Sequence, residues 1–254
     1  MLRTIRVVRE RDALFCAAAQ KFVEIVMRCQ EGERVCSVAL AGGSTPRRMY
    51  QLLTHPLYES QIAWGRIRIF FGDERQVPPD HQESNFRMAQ EAILSQVPIP
   101  PEQVFRIEGE LDPEEAAGRY EAVLRQQFGV MHGGLPQFDL ILLGMGADGH
   151  TASLFPGTSA VRESQKLVAA PWVEKLQTHR VTVTPPVLNA AKHVMFLVSG
   201  NDKALALQAV LEGKDNPDQY PAQVVQPTEG QVFWLVDADA ASHLSEKTLA
   251  GSST

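Results

Sequence analysis

LILLGMGADGH, from Leu140 to His150, decides how this chain is read. The run Leu140 to Leu143 reads as a buried strand. The glycines Gly144, Gly146 and Gly149 then spell G-x-G-x-x-G, the turn that admits a pyrophosphate where a helix begins. A dinucleotide site also needs several helical turns after the third glycine, to carry the helix dipole to the phosphates. Only TASLF separates His150 from Pro156 and Gly157, room for about one turn, although Glu174 at the end of the next plausible strand keeps a weak cofactor reading open. The other reading takes Asp148 and His150 as a pair. Residues two apart in an extended or turn segment point the same way, and a histidine oriented by a carboxylate is the commonest general base near neutral pH. An Asp-Gly turn before a helix-start histidine gives the same letters without chemistry.

Outward from this stretch, apolar runs rich in β-formers alternate with helical patterns. Strands are expected at 5–8, VCSVALAG, RIRIFFGD, FDLILLG, LVAAPWV, RVTVT, HVMFLVSG and QVFWLVD. Helices are expected over 12–30, with Leu14, Ala18, Phe22, Ile25 and Val26 on one face, after Thr45 and Pro46, after a cap at Ser84 or Asn85, and from Asp112 with Pro113. PPVLNAA and DKALALQAVLEG complete the helices, and DNPDQYPAQVVQPTEG reads as a long surface loop. The alternation implies an α/β, Rossmann-like fold: a mostly parallel sheet with helices on both faces, one main domain over residues 1–254, its pattern looser after His150. Ligands of such sheets bind at the carboxyl ends of the strands. AGGST, GDER, GADGH and SGNDK each follow an expected strand, so they should converge on one edge.

Composition narrows the function classes. With 44% hydrophobic and 21% charged residues the chain is ordinary globular protein, and its apolar runs are too short to span a bilayer. MLRTIRVVRERDALF spreads its charges and does not read as a signal peptide, so the cytoplasm is the expected compartment. A net charge of -6 argues against a nucleic-acid footprint. The cysteines Cys16, Cys29 and Cys36 show no C-x-x-C spacing and read as reduced, buried packing residues. His81, His132 and His150 lie in separate loops, so no metal is expected.

Each remaining cluster carries two readings. AGGST, with Gly43, Ser44 and Thr45, suits a phosphate held by exposed N–H groups at a helix start, or is a glycine-rich turn capped by Thr45. Pro46 stands where a nucleophile elbow needs its second glycine, although Ser44 stays open as a nucleophile. Asp73, Glu74 and Arg75 read as a solvated strand end, or as a site in which Arg75 forks onto an anion. Lys203 opposes the dipole of its helix unless an anion is near, and Arg180 is a third candidate cation.

Taken together, LAGGSTPRRMY, FFGDERQVPPDHQESNFRMA, FDLILLGMGADGHTASLFPGT, RVTVTPPVLNAAKHVMFLVSGNDKALAL and VFWLVDADAA resemble the 6-phosphogluconolactonases of the pentose phosphate pathway over nearly the whole chain. The resemblance implies a fold shared with glucosamine-6-phosphate deaminases and ribose-5-phosphate isomerases. It implies hydrolysis of 6-phospho-D-glucono-1,5-lactone without metal or organic cofactor. It places catalysis on His150 with Asp148, and substrate and phosphate contacts on Gly43, Ser44, Thr45, Asp73, Arg75, Arg180 and Lys203. The expected partner is the small phosphorylated lactone, with no nucleic acid and no membrane, and the expected state is a monomer or weak homodimer. Backbone N–H groups of the glycine-rich turns are the candidate oxyanion donors. The deaminases of this fold carry a glutamate shortly after the histidine, where this chain has Phe155.

Overall fold

The computed structural model describes residues 2–131 and 133–250. In chain order the elements are β1 (Leu2–Val8), α1 (Arg11–Cys29), β2 (Cys36–Leu40), α2 (Ser44–Leu53), α3 (Pro56–Glu59), β3 (Ile67–Phe71), β4 (Asp73–Arg75), α4 (Asn85–Ala89), α5 (Pro113–Phe128) and β5 (Leu140–Gly144). There follow β6 (Val168–Ala169), β7 (Trp172–Val173), β8 (Thr178–Val183), α6 (Pro185–Ala190), β9 (His193–Val198), α7 (Ala204–Glu212), β10 (Gln231–Asp237) and α8 (Glu246–Ala250). Six strands pair in the order β1-β10-β9-β5-β2-β3, every pair parallel. All five residues of β2 are buried, as are all but the first of β9 and β10. Successive side chains on a strand point to opposite faces, so both faces of the sheet are covered, as the apolar runs implied. One buried cluster runs from Ile5 to Leu244 and includes Leu14, Ala18, Phe22, Ile25 and Val26 of α1.

The order fixes where a ligand belongs. From β2 the chain moves outward through α2 to β3, whereas from β5 it moves the other way to β9. The connections diverge between neighbouring strands, which makes the space beyond β2 and β5 the topological switch point. The two loops there are Ala41–Thr45 and Gly144–His150.

The looser second half resolves into something the alternation did not announce. β4, β8 and β6 form a separate antiparallel ladder, with β7 also on β8, and LVAAPWV is divided between β6 and β7. This ladder corrects the solvated reading of the GDER charges: Asp73 and Glu74 lie in β4 and are buried. Glu74 accepts from the N–H groups of Arg75, Asn85 and Phe86 and from the Ser84 hydroxyl, so it anchors the start of α4. The 215–230 segment is not wholly a surface loop either. Pro221, Ala222, Gln223 and Val225 are buried, and the Ala222 N–H donates to Gly149 O at 2.9 Å, which ties it to the glycine turn. Cys16 is exposed, contrary to the expectation of three buried thiols, while Cys29 and Cys36 are buried. Among the described residues no helix is long and apolar enough to cross a membrane.

Candidate active site

The loop after β5 holds a histidine and a carboxylate in one rigid turn. The Gly146 N–H donates to His150 O at 2.9 Å and the Gly149 N–H to Gly146 O at 3.0 Å. The Thr151 hydroxyl donates to Gly144 O at 2.8 Å. Gly149 has φ +76, a left-handed value that favours glycine, and a Cβ on Gly146 would lie 2.1 Å from His150 Nδ1. The glycines therefore close a turn around the His150 ring. No helix follows them: Thr151 to Leu154 is a tight turn, so the dinucleotide reading lacks the helix N-terminus it needs. Glu174, its candidate ribose ligand, is hydrogen-bonded to Trp172 and Gln177.

His150 Nδ1 meets Asp148 Oδ1 at 2.5 Å, and Lys175 Nζ donates to Asp148 Oδ2 at 3.0 Å. The contact with His150, then the Lys175 cation, hold the Asp148 carboxyl well below the usual carboxylate range. Phe155 stacks on the imidazole at 4.1 Å between ring centres. Asp148 on Nδ1 leaves Nε2 as the imidazole nitrogen for an incoming water, the arrangement of an oriented general base.

A cavity of about 270 Å³ brings the other clusters to this histidine. Its wall includes Gly43, Ser44, Thr45, Asp73, Arg75, His150 and Lys203. Two predicted residues stand behind the wall: Asp148 behind His150, and Arg180 on β8 in register with Arg75 on β4. The start of α2 is not capped by Thr45, as one sequence reading had it. The cap position is Gly43, at φ 104, and no side chain satisfies the first turn. Free N–H groups at the positive end of a helix dipole are chemistry that suits an anion. Among the described residues Ser44 makes no hydrogen bond to a histidine, the contact that would activate it as a nucleophile.

The cations at the cavity each have acids nearby, but two of them also face one another. Arg75 and Arg180 lie directly opposite each other, a destabilising pairing without an anion between them. Burial first, and the Arg75 charge second, lower the Arg180 pKa. Lys203 has Asp202 at 2.7 Å as a local partner. Asp73 is committed: Ser153 Oγ donates to its Oδ2 at 2.6 Å and Asn85 Nδ2 to its backbone oxygen at 2.9 Å. The Gly146 and Gly149 N–H groups, candidate oxyanion donors in the sequence reading, are hydrogen-bonded within their own turn.

Sequence reasoning did not single out Ser153 or Lys175. Asn85 was read only as a helix cap, and nothing local marks Lys175, which reaches Asp148 from the turn between β7 and β8. Among the described residues, the group whose atoms could hold a metal ion is Cys29, Cys36 and Asp139, away from this cavity. His132 lies outside the described residues.

A family model for glucosamine-6-phosphate isomerases/6-phosphogluconolactonase matches residues 9–234. The chain belongs to this family. Within the glucosamine-6-phosphate isomerase/6-phosphogluconolactonase family, a 6-phosphogluconolactonase of Synechocystis is 42% identical over 209 residues, 82% of this chain and 84% of that one. The rat 6-phosphogluconolactonase is 39% identical over 249 residues, covering 95% and 93% of the two chains. The solved 6-phosphogluconolactonase of Trypanosoma cruzi superposes with a TM-score of 0.84 at 30% identity, over 96% of this chain and 98% of that one.

Proposed function

We propose that this cavity hydrolyses 6-phospho-D-glucono-1,5-lactone to 6-phosphogluconate by water that His150 activates. The observation that carries the mechanism is the His150–Asp148 contact beside a cavity whose lining joins His150 to the uncapped start of α2, Arg75 and Lys203. The phosphate binds at Gly43, Ser44 and Thr45 and to the cations, which sets the lactone carbonyl before His150. Nε2 takes a proton from water as the oxygen attacks C1. The imidazolium, stabilised by ionised Asp148, returns that proton to the ring oxygen as the C1–O bond breaks. General acid–base help of this kind contributes ~10²–10⁴-fold, enough for an ester already activated by its ring.

This scheme uses no metal and no organic cofactor. The net charge of -6 supports a chain without nucleic-acid partners, and on this proposal it is a monomer or weak homodimer in the cytoplasm. The deaminase chemistry within the same family needs a further proton relay near the histidine. Phe155 fills that place, buried and stacked on the ring, and an apolar ring relays no proton. The test is acid release from freshly generated phosphogluconolactone with a chelator present, beside ammonia release from glucosamine 6-phosphate. Fast acid release and no ammonia are expected. Ammonia at a comparable rate overturns the reading.

A further inference from the structure

A second reactive group lies at the opposite end of the sheet. Cys29 ends α1 and Cys36 begins β2, five residues of strand or about 16 Å below the Ala41–Thr45 turn. Their sulfurs and a carboxylate oxygen of Asp139 all lie within 4.8 Å of one another, and both thiols are free. Asp139 is already saturated. Its Oδ1 accepts from Lys192 Nζ at 2.7 Å and Arg34 Nη2 at 3.3 Å, and its Oδ2 from the Ser37 N–H and hydroxyl at 3.0 and 2.9 Å. A metal ion would have to displace Lys192 to reach that carboxylate, whereas the two sulfurs need only each other.

We propose that Cys29 and Cys36 are a reversible dithiol/disulfide site, in which Cys29 reacts with a small peroxide and Cys36 resolves the product. Access separates the two roles. Cys29 stands on the wall of a cavity of about 210 Å³ that also carries Lys21, Arg28, Arg34 and Lys192, while Cys36 is fully buried and off that wall. The neighbouring Cys36 sulfur draws the Cys29 thiol below its ordinary value, against burial and the Asp139 charge, while the Cys29 sulfur together with burial pushes Cys36 up. The cations there are paired with Glu24 and Asp139, so the case rests on the two sulfurs: a mostly buried thiol that still reaches a cavity wall, backed by a fully buried partner thiol, is the pattern of a peroxide-reactive cysteine with its resolving thiol.

The Cys29 thiolate attacks one peroxide oxygen, the O–O bond breaks, and the departing hydroxide takes a proton to leave as water. The Cys36 sulfur then attacks the Cys29 sulfenic acid, the S–O bond breaks, and its oxygen leaves as a second water with the Cys36 proton. The two thiols lose two electrons and the peroxide gains them. The sulfurs must close to about 2.04 Å, and residues 31–35 between them are exposed, which leaves room for that adjustment. Two exchanges with a small thiol restore the pair.

The experiment treats the folded full chain with hydrogen peroxide, unfolds it and titrates free thiols. The three thiols of the chain should fall to one, the intact mass should drop by two hydrogens, and peptide mapping should join Cys29 to Cys36. Dithiothreitol should reverse all three changes. In Cys16→Ser the same bridge should form, and in Cys36→Ser dimedone should trap Cys29 as sulfenic acid. The wild-type mapping stands if Cys36→Ser fails to fold. Survival of all three thiols, or oxidation confined to Cys16, overturns the proposal. So does one equivalent of Zn²⁺ that shields Cys29 and Cys36 from peroxide, which assigns the cluster to a metal.

Discussion

Asp148→Asn removes one charge from the pair that is proposed to drive hydrolysis and alters little else. The carboxylate has its effect when His150 becomes an imidazolium, at a charge separation of about 4 Å, where attraction is worth about 1 kcal/mol in water and about 4 kcal/mol at the effective dielectric of a protein surface. The two side chains keep 29% and 24% of their exposure, so the value falls between these limits. Lys175, 3.0 Å from the second oxygen, offsets part of it. A loss of about 1.5–3 kcal/mol follows, or about 10- to 150-fold in kcat/KM. That is well short of the ~10⁴-fold cost of the same change in a buried serine-protease triad, because this pair is partly hydrated. Asp148 is off the cavity wall, so the loss should reside in kcat with KM nearly unchanged. Acid release from fresh lactone, corrected for spontaneous hydrolysis, measures both constants. A variant within about twofold of wild type, or a loss carried by KM, refutes the reasoning.

Arg75→Met and Lys203→Met should each weaken binding of the phosphorylated substrate by about 1.5–3 kcal/mol, as for lost charge-assisted contacts. A non-phosphorylated lactone should be far less affected, and equal losses on both would assign these cations to structure or to the carbonyl. Glu74→Ala leaves the Arg75, Asn85 and Phe86 N–H groups and the Ser84 hydroxyl without their acceptor. It should lower stability by about 2–4 kcal/mol, read from urea unfolding, and an unchanged midpoint contradicts the anchoring role. Asp148 binds its proton at lower pH in the folded chain than in the unfolded one, so the stability it brings is complete above about pH 4 and is lost below that as acid protonates the folded form. The stability gap between wild type and Asp148→Asn should therefore hold from about pH 7 to about pH 5, narrow below about pH 4 and still persist in part at about pH 3. A gap that closes at neutral pH contradicts the assignment.

What the sequence disclosed was what local pattern encodes. Apolar β-rich runs that end on glycine and polar residues marked β2, β5 and β9, and the rule for parallel sheets then placed AGGST, GADGH and SGNDK on one edge. Contacts made by chain pairing were hidden. For Asp73, Glu74 and Arg75 the sequence left a solvated strand end and an anion site both open, and only the register of β4 on β8 buries the first two and sets Arg75 against Arg180. Lys175 reaches Asp148 across 27 residues, and Asp139 reaches Ser37 across 102. Neither separation leaves a periodic trace. The 215–230 segment has loop composition, yet its anchor is a backbone bond to Gly149, which composition does not record.

The most direct test of the account is the His150→Ala variant, assayed for lactone hydrolysis and, on the same sample, for 6-phosphogluconate binding by calorimetry. The wall formed by Gly43, Ser44, Thr45, Arg75 and Lys203 is untouched by this change, so affinity should stay within about threefold while turnover falls by about 10²–10⁴-fold, the contribution of a positioned general base. Turnover at the wild-type rate, corrected for spontaneous hydrolysis, contradicts the account, because the cavity would then hydrolyse its ester without the histidine around which its glycine turn is built.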